Sequence, residues 1–181
     1  MLPLKGKLVR CGAEMVGNHD MDYEQCFREK PEWARYKNQS YYQQKDIYRF
    51  KKPHIQFFDT ALQEIRDGRK ESHWMWYIFP QLEGLGHSYE SQFYGLSSLN
   101  EAREYMANPM FGEDLIRISE ELLKLPTNNA EDIFGYTDAL KLRSCMTLFS
   151  LLNVHSVFQA VLDKYFGGKK DELTLNLLGM K

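Results

Sequence analysis

A chain of 181 residues, 43% of them hydrophobic, suits one compact domain with an appended segment better than two full domains, and that composition excludes disorder throughout. Twenty-three basic residues against 25 acidic ones leave a net charge of −2, without the basic excess of a sequence-independent nucleic-acid binder. No apolar run reaches the ~18 residues of a membrane span.

Residues 1–48 form the first segment, in which YEQCFREKPEWARYKNQSYYQQKD follows neither the helical nor the strand period. The segment carries a small basic excess while the remainder is acidic. It also holds Trp33, Tyr36, Tyr41 and Tyr42, which a flexible linker does not need. It reads as a mostly irregular N-terminal extension, docked on the domain that follows over 49–181. Three cysteines, Cys11, Cys26 and Cys145, show no C-x-x-C spacing. The opening MLPLKGKLVRCGAEMVG lacks the apolar stretch of a secretory signal, so a reducing cytoplasm is expected.

From residue 54 the pattern turns helical. Ile55, Phe58, Leu62 and Ile65 form one stripe that ends at Gly68. Ser72 then caps HWMWYIF, a short run that is apolar on every side and is therefore expected at the centre, up to Pro80. Further helices are expected at 88–94, from Ser98 to Asn108-Pro109, and over about 112–125. Asn128 caps a short turn ending at Gly135, Thr137 or Asp138 opens ALKLRSCMTLFSLL, Ser156 opens VFQAVLDKYF, and a last helix covers about 171–178. Seven or eight helices without a convincing pair of strands predict an all-α, multihelical single domain.

The words ALQEIRDGRKESHWMWYIFPQLEGLGHS, the stretch Ser98–Tyr105, ALKLRSCMTLF and VFQAVLDKYFGG carry a resemblance. Over about residues 49–178 the chain resembles a family of uncharacterised, mostly bacterial, small all-helical proteins, a domain of unknown function. The resemblance implies an all-α fold and no reaction. One departure stands near the start, where Pro53-His54 replace the Ala-Gln pair usual in that family. The label calpastatin-like, sometimes given to the family, does not suit this chain. An extended protease inhibitor is poor in aromatics, and 14% of these residues are aromatic.

Polar side chains inside apolar words single themselves out, because burying them without a partner is costly. His73 is a candidate acid/base or a backbone-bonded residue at a helix start. Trp76 stacks on a ligand or belongs to the core. Gly86 and His87, just before a helix start, together with Gln81 and Gln92, suit an anion or form a simple capped loop. Lys141 and Arg143 lie about 200° apart on one helix, so they do not share a solvated face; at least one of them is expected to meet a partner, a ligand anion or a carboxylate such as Asp132 or Asp138. Ser144 shares the face of Lys141. Glu64, Asp67, Glu71 and Glu83 read as solvated carboxylates, and Cys145 as inert core.

The expected function is binding, with hydrolysis or group transfer as an extension, of a small anionic, phosphate-bearing or nucleotide-like ligand in an aromatic and cationic pocket. In the extension His73 and Arg143 are catalytic. The alternative is a noncatalytic protein-interaction module. No cofactor, metal site, nucleic-acid polymer or membrane partner is expected, since no ligand spacing, P-loop or G-x-S-x-G is present.

Overall fold

The computed structural model describes residues 46–180. The expectations for the extension fall almost wholly on residues outside that range. Among the described residues the architecture is all-α. A 3₁₀ turn, Ile47–Phe50, leads into α1 (Lys51–Arg66), α2 (Met75–Ile78), α3 (Tyr89–Phe93), α4 (Leu99–Ala107), α5 (Pro109–Lys124), α6 (Ala130–Ser150), α7 (Val157–Phe166) and α8 (Glu172–Leu177). Extended pairing among these residues is limited to an isolated parallel bridge between Leu82 and Leu96. None of these helices is long and apolar enough to cross a membrane.

Helix α5 packs on α1, α4 and α7, while α6 packs on α7 and α8. The apolar stripe of α1 is buried at Phe58, Leu62 and Ile65, but Ile55 is 60% exposed. The reason is angular. Ile55 falls at one edge of the arc, and His54 takes the buried place in the first turn, stacked on Phe58 and edge-on to Phe111. Its Nε2 lies 2.9 Å from Asp114 of α5, and its Nδ1 is buried without a partner among the described residues.

Asn108 is shared by two helices. Its N–H bonds the carbonyls of Glu104 and Tyr105 at the end of α4, and its side chain accepts from Met110 N–H at 3.1 Å at the start of α5. Pro109 therefore opens α5 at its first position, where no N–H is needed, and the helix begins three residues before the expected start. The far end of α5 is closed by α7. Lys164 Nζ donates to the carbonyls of Leu122, Leu123 and Leu125, and the Tyr165 hydroxyl donates to Leu122 O at 2.6 Å. Burial holds the Lys164 ammonium below its ordinary value and pushes the Tyr165 hydroxyl up to about 12.

The Ser98 hydroxyl accepts from Glu101 N–H as expected of a capping box, but the Glu101 carboxylate turns elsewhere. It accepts from Ser97 and pairs with Arg49 Nη1 at 2.5 Å. The Arg49 fork also donates to Phe93 O and Gly95 O, each at 2.9 Å, and to Asp46 O. A buried guanidinium thus ties the 3₁₀ turn to the α3–α4 connection, with a carboxylate or carbonyl on each nitrogen. Next to it, the Phe50 ring lies 5.2 Å from Tyr105 and 6.2 Å from Phe111, opening an aromatic cluster that runs on to Phe149 and Phe158.

Candidate functional site

The site is built on the connection between α1 and α2. Glu64, in the last turn of α1, accepts from the backbone N–H of Glu71 at 2.8 Å, from the N–H and hydroxyl of Ser72, and from Trp74 Nε1 at 2.7 Å. Burial works to raise the Glu64 carboxyl, yet the Ser72 hydroxyl and these N–H groups outweigh it and hold the group below its ordinary value. Glu64 is therefore an anchor, not a solvated carboxylate. Because Ser72 is committed to Glu64 it does not cap a helix, and α2 shrinks to Met75–Ile78. Trp74, its indole N–H satisfied, is fully buried; Trp76 is half-buried.

The strapped turn delivers Lys70. Its backbone N–H bonds Ile133 O at 2.8 Å; its ammonium bonds Ser72 O at 2.8 Å, lies 5.1 Å from the Trp74 ring centre and meets Asp138 Oδ2 at 2.7 Å. Asp138 follows Gly135, whose φ of 68° breaks the helical run inside α6 and gives the chain there a conformation that suits glycine. One turn on, Lys141 Nζ meets Asp138 Oδ1 at 2.7 Å and lies 4.3 Å from the Trp76 ring centre, within cation–π range. Burial pushes the Asp138 carboxyl up, but the hydrogen bonds from Lys141 and Lys70 win and hold it below the usual carboxylate range.

Gly86 closes the edge of this patch. A Cβ there would sit 2.9 Å from the Cβ and Oγ of Ser91, so the 84–87 loop approaches α3 this closely because residue 86 has no side chain; Cη2 of Trp76 would be at an ordinary contact distance of 3.8 Å. Of the residues singled out in the sequence, the structure thus gathers Trp76, Gly86 and Lys141, and adds Lys70 and Asp138.

The others are placed differently. His73 is exposed on the strapped turn, before α2, and forms no hydrogen bond with a described residue. Gln81 is buried; its carbonyl accepts from Leu96 N–H at 2.8 Å, and its Nε2 has no partner among the described residues. His87 is exposed, and its carbonyl accepts from Gln92 Nε2 at 3.2 Å. The Ser144 hydroxyl bonds back to Leu140 O within α6. Arg143 donates from Nε to Lys169 O at 3.0 Å and from Nη2 to Lys170 O at 2.7 Å, closing the chain that leaves α7.

A surface depression of about 400 Å³ lined by Tyr48, Lys51, Lys52 and Ile55 includes none of these residues. No group of three or more metal-ligating side chains occurs among the described residues. Cys145 is fully buried, which pushes its thiol well above the ordinary value.

The sequence offers Asp138 as a helix start and as a salt-bridge partner, and does not single out Lys70. The three-residue spacing of Asp138 and Lys141 was a usable local signal. Nothing local announces Lys70, which reaches Asp138 through the packing of the strapped turn on α6.

The family described as "Protein of unknown function (DUF1810)" matches residues 44–178. The chain belongs to this family. The DUF1810 match covers every residue of the patch. A solved structure similar to this chain is that of the conserved hypothetical protein Rv1873 from Mycobacterium tuberculosis, with 39% sequence identity and a TM-score of 0.72; the alignment covers 75% of this chain and 98% of that one. Among curated proteins none matches.

Proposed function

We propose that the chain reversibly binds a small anionic, phosphate-bearing ligand at the Trp76–Lys141 patch, with nucleotide-like molecules as the class that fits best. One observation carries the reading: two ammonium groups, Lys70 and Lys141, share the single carboxylate of Asp138 at 2.7 Å each, against the half-buried Trp76 indole. The trio holds one net positive charge in a partly desolvated place, where attraction for an anion is less screened than in open water. Lys141 commits one of its three N–H donors to Asp138 and has no other hydrogen-bond partner among the described residues, so two donors remain for a ligand. Trp76 is half-buried rather than enclosed, and an indole is a ring on which nucleobases stack.

The proposal stops at binding. A general base needs a partner that orients its imidazole, and His73 has none among the described residues; Arg143 is engaged by two backbone carbonyls. The test is ligand-dependent thermal stabilisation across nucleotides, sugar phosphates and ADP-ribose-like compounds. A ligand at ~100 times its dissociation constant contributes about 2.7 kcal/mol. The expected result is a shift with at least one phosphate-bearing compound that is lost in Lys141→Gln and reduced in Trp76→Ala. No shift with any probe overturns the reading. It would leave a noncatalytic docking module as the better one, favoured by the exposed Leu173 and Leu177, one turn apart on α8.

A further inference from the structure

We infer that the ligand of the Trp76–Lys141 patch carries a hydrocarbon tail, which lies along an apolar strip formed by Leu85, Leu177 and Leu173. The inference rests on the binding reading above and adds to the ligand a part that the cationic patch does not itself hold. It makes the occupant an amphiphilic phosphate monoester, free in solution.

The strip starts on α8, where Leu173 and Leu177 are 63% and 51% exposed. Fraying does not account for them, because α8 is firmly seated. Thr174 is fully buried, its N–H and hydroxyl both donate to the Asp171 carboxylate, and the Asp171 N–H donates to the Thr147 hydroxyl of α6 at 2.8 Å. Arg143 holds the two carbonyls just before. The two leucines stand four residues apart and so share one side of the helix. Two adjacent apolar side chains held in water gain from being covered.

Beside them runs the 84–87 loop. A Cβ on Gly84 would be 3.5 Å from both terminal methyl groups of Leu177, and one on Gly86 would be 3.8 Å from Cη2 of Trp76. The Cα atoms of residues 84 and 86 are at most about 7 Å apart. Between them Leu85, like Trp76, is half-buried and packed against the core. One short loop therefore joins the indole, with Lys141 Nζ 4.3 Å from its centre, to the exposed leucines of α8. An anionic group at Lys141 and a tail on the leucines are within the span of a single small molecule. A lipid surface is a poorer source of that tail. Asp171 and Glu172 stand at the start of α8 and repel an anionic membrane, and six residues are few for a helix that lies in one.

Methyl phosphate and n-hexyl phosphate test this, because they carry the same charged group and differ only in methylenes. Binding is followed through the Trp76 indole N–H and Leu177 methyl signals in NMR spectra, at concentrations where hexyl phosphate is monomeric. A fully buried methylene is worth about fourfold in affinity and one resting on a surface strip about twofold, so hexyl phosphate is expected to bind about thirtyfold more tightly. That ratio should fall by about threefold in Leu173→Ser and in Leu177→Ser, and Lys141→Gln should lose both compounds.

Equal affinity of the two phosphates in the wild-type protein overturns the tail while leaving the binding site standing. Failure of both to bind overturns the binding reading itself. Hexyl phosphate that still binds Lys141→Gln overturns the link between strip and patch. Should Leu177→Ser fail to fold, Leu173→Ser at the more exposed position decides, and an unchanged ratio there overturns the path given to the tail. Retention of the protein on vesicles of phosphatidylcholine and phosphatidic acid overturns the assignment to a free molecule.

Discussion

Two ionic arrangements in this molecule use the same chemistry to opposite ends. Arg49 and Glu101 are 4% and 9% exposed, and a carboxylate or carbonyl oxygen meets each nitrogen of the guanidinium. The charge is balanced and each nitrogen has an acceptor, and the result is a joint. At Lys70, Asp138 and Lys141 the charges do not balance and Lys141 retains unused donors. The contrast separates a polar group that holds a fold from one that is available to a ligand: closure of the hydrogen-bond account, rather than burial or charge alone, marks the first kind.

The largest way to break the comparison lies on the joint. Arg49→Met strands Glu101 in the interior, and urea unfolding should show a loss of about 3–5 kcal/mol, part of which returns when Glu101→Met is added. Next come the two tryptophans. Trp74→Ala, at a fully buried position with a satisfied indole N–H, should cost about 3–5 kcal/mol, whereas Trp76→Ala at the half-buried position should cost about 1–2 kcal/mol. Equal losses would show that Trp76 is core rather than part of a ligand surface.

Smaller again is the effect of acid. Glu64, Asp138 and Glu121 all sit below their ordinary values when folded, Glu121 through hydrogen bonds from Arg66 and then Lys124. Lowered folded values mean that their contribution is complete above the unfolded value of about 4 and is lost as pH falls through the folded values. The melting midpoint should hold from pH 7 to 5 and drop below pH 4, with a shallower drop in Glu64→Gln. The smallest effect is expected for Lys141→Gln, within about 1 kcal/mol of wild type because the pair is partly exposed, although ligand binding is lost. A large loss of stability there would turn the patch into a second joint.

Much of the fold was legible because helix ends and apolar stripes are local. Ser88, Ser98 and Asp171 cap α3, α4 and α8, and Gly167 stops α7 in the left-handed conformation. The misreadings arose where a distant partner claimed a local signal. Ser72 looked like a helix cap until Glu64 took it, and the capping box at Ser98 closed only halfway because Glu101 answers Arg49. The same cause limits the site. Trp76, Gly86 and Lys141 announced themselves by residue type, whereas Lys70 becomes visible only when the turn after α1 is packed on α6. The carbonyls closed by Arg143 lie 26 and 27 residues further along the chain, beyond the reach of any periodicity.

The shared residue between α4 and α5 has a consequence for motion. Asn108 finishes one helix and starts the next, so no slack separates them. Fraying at a helix terminus normally stays local, because the residues beyond it absorb the disorder. Here the last turn of α4 cannot loosen without withdrawing the side-chain acceptor from the first turn of α5. The two helices should consequently open to solvent as one cooperative unit, and hydrogen exchange measured at the end of α4 is expected to match that at the start of α5.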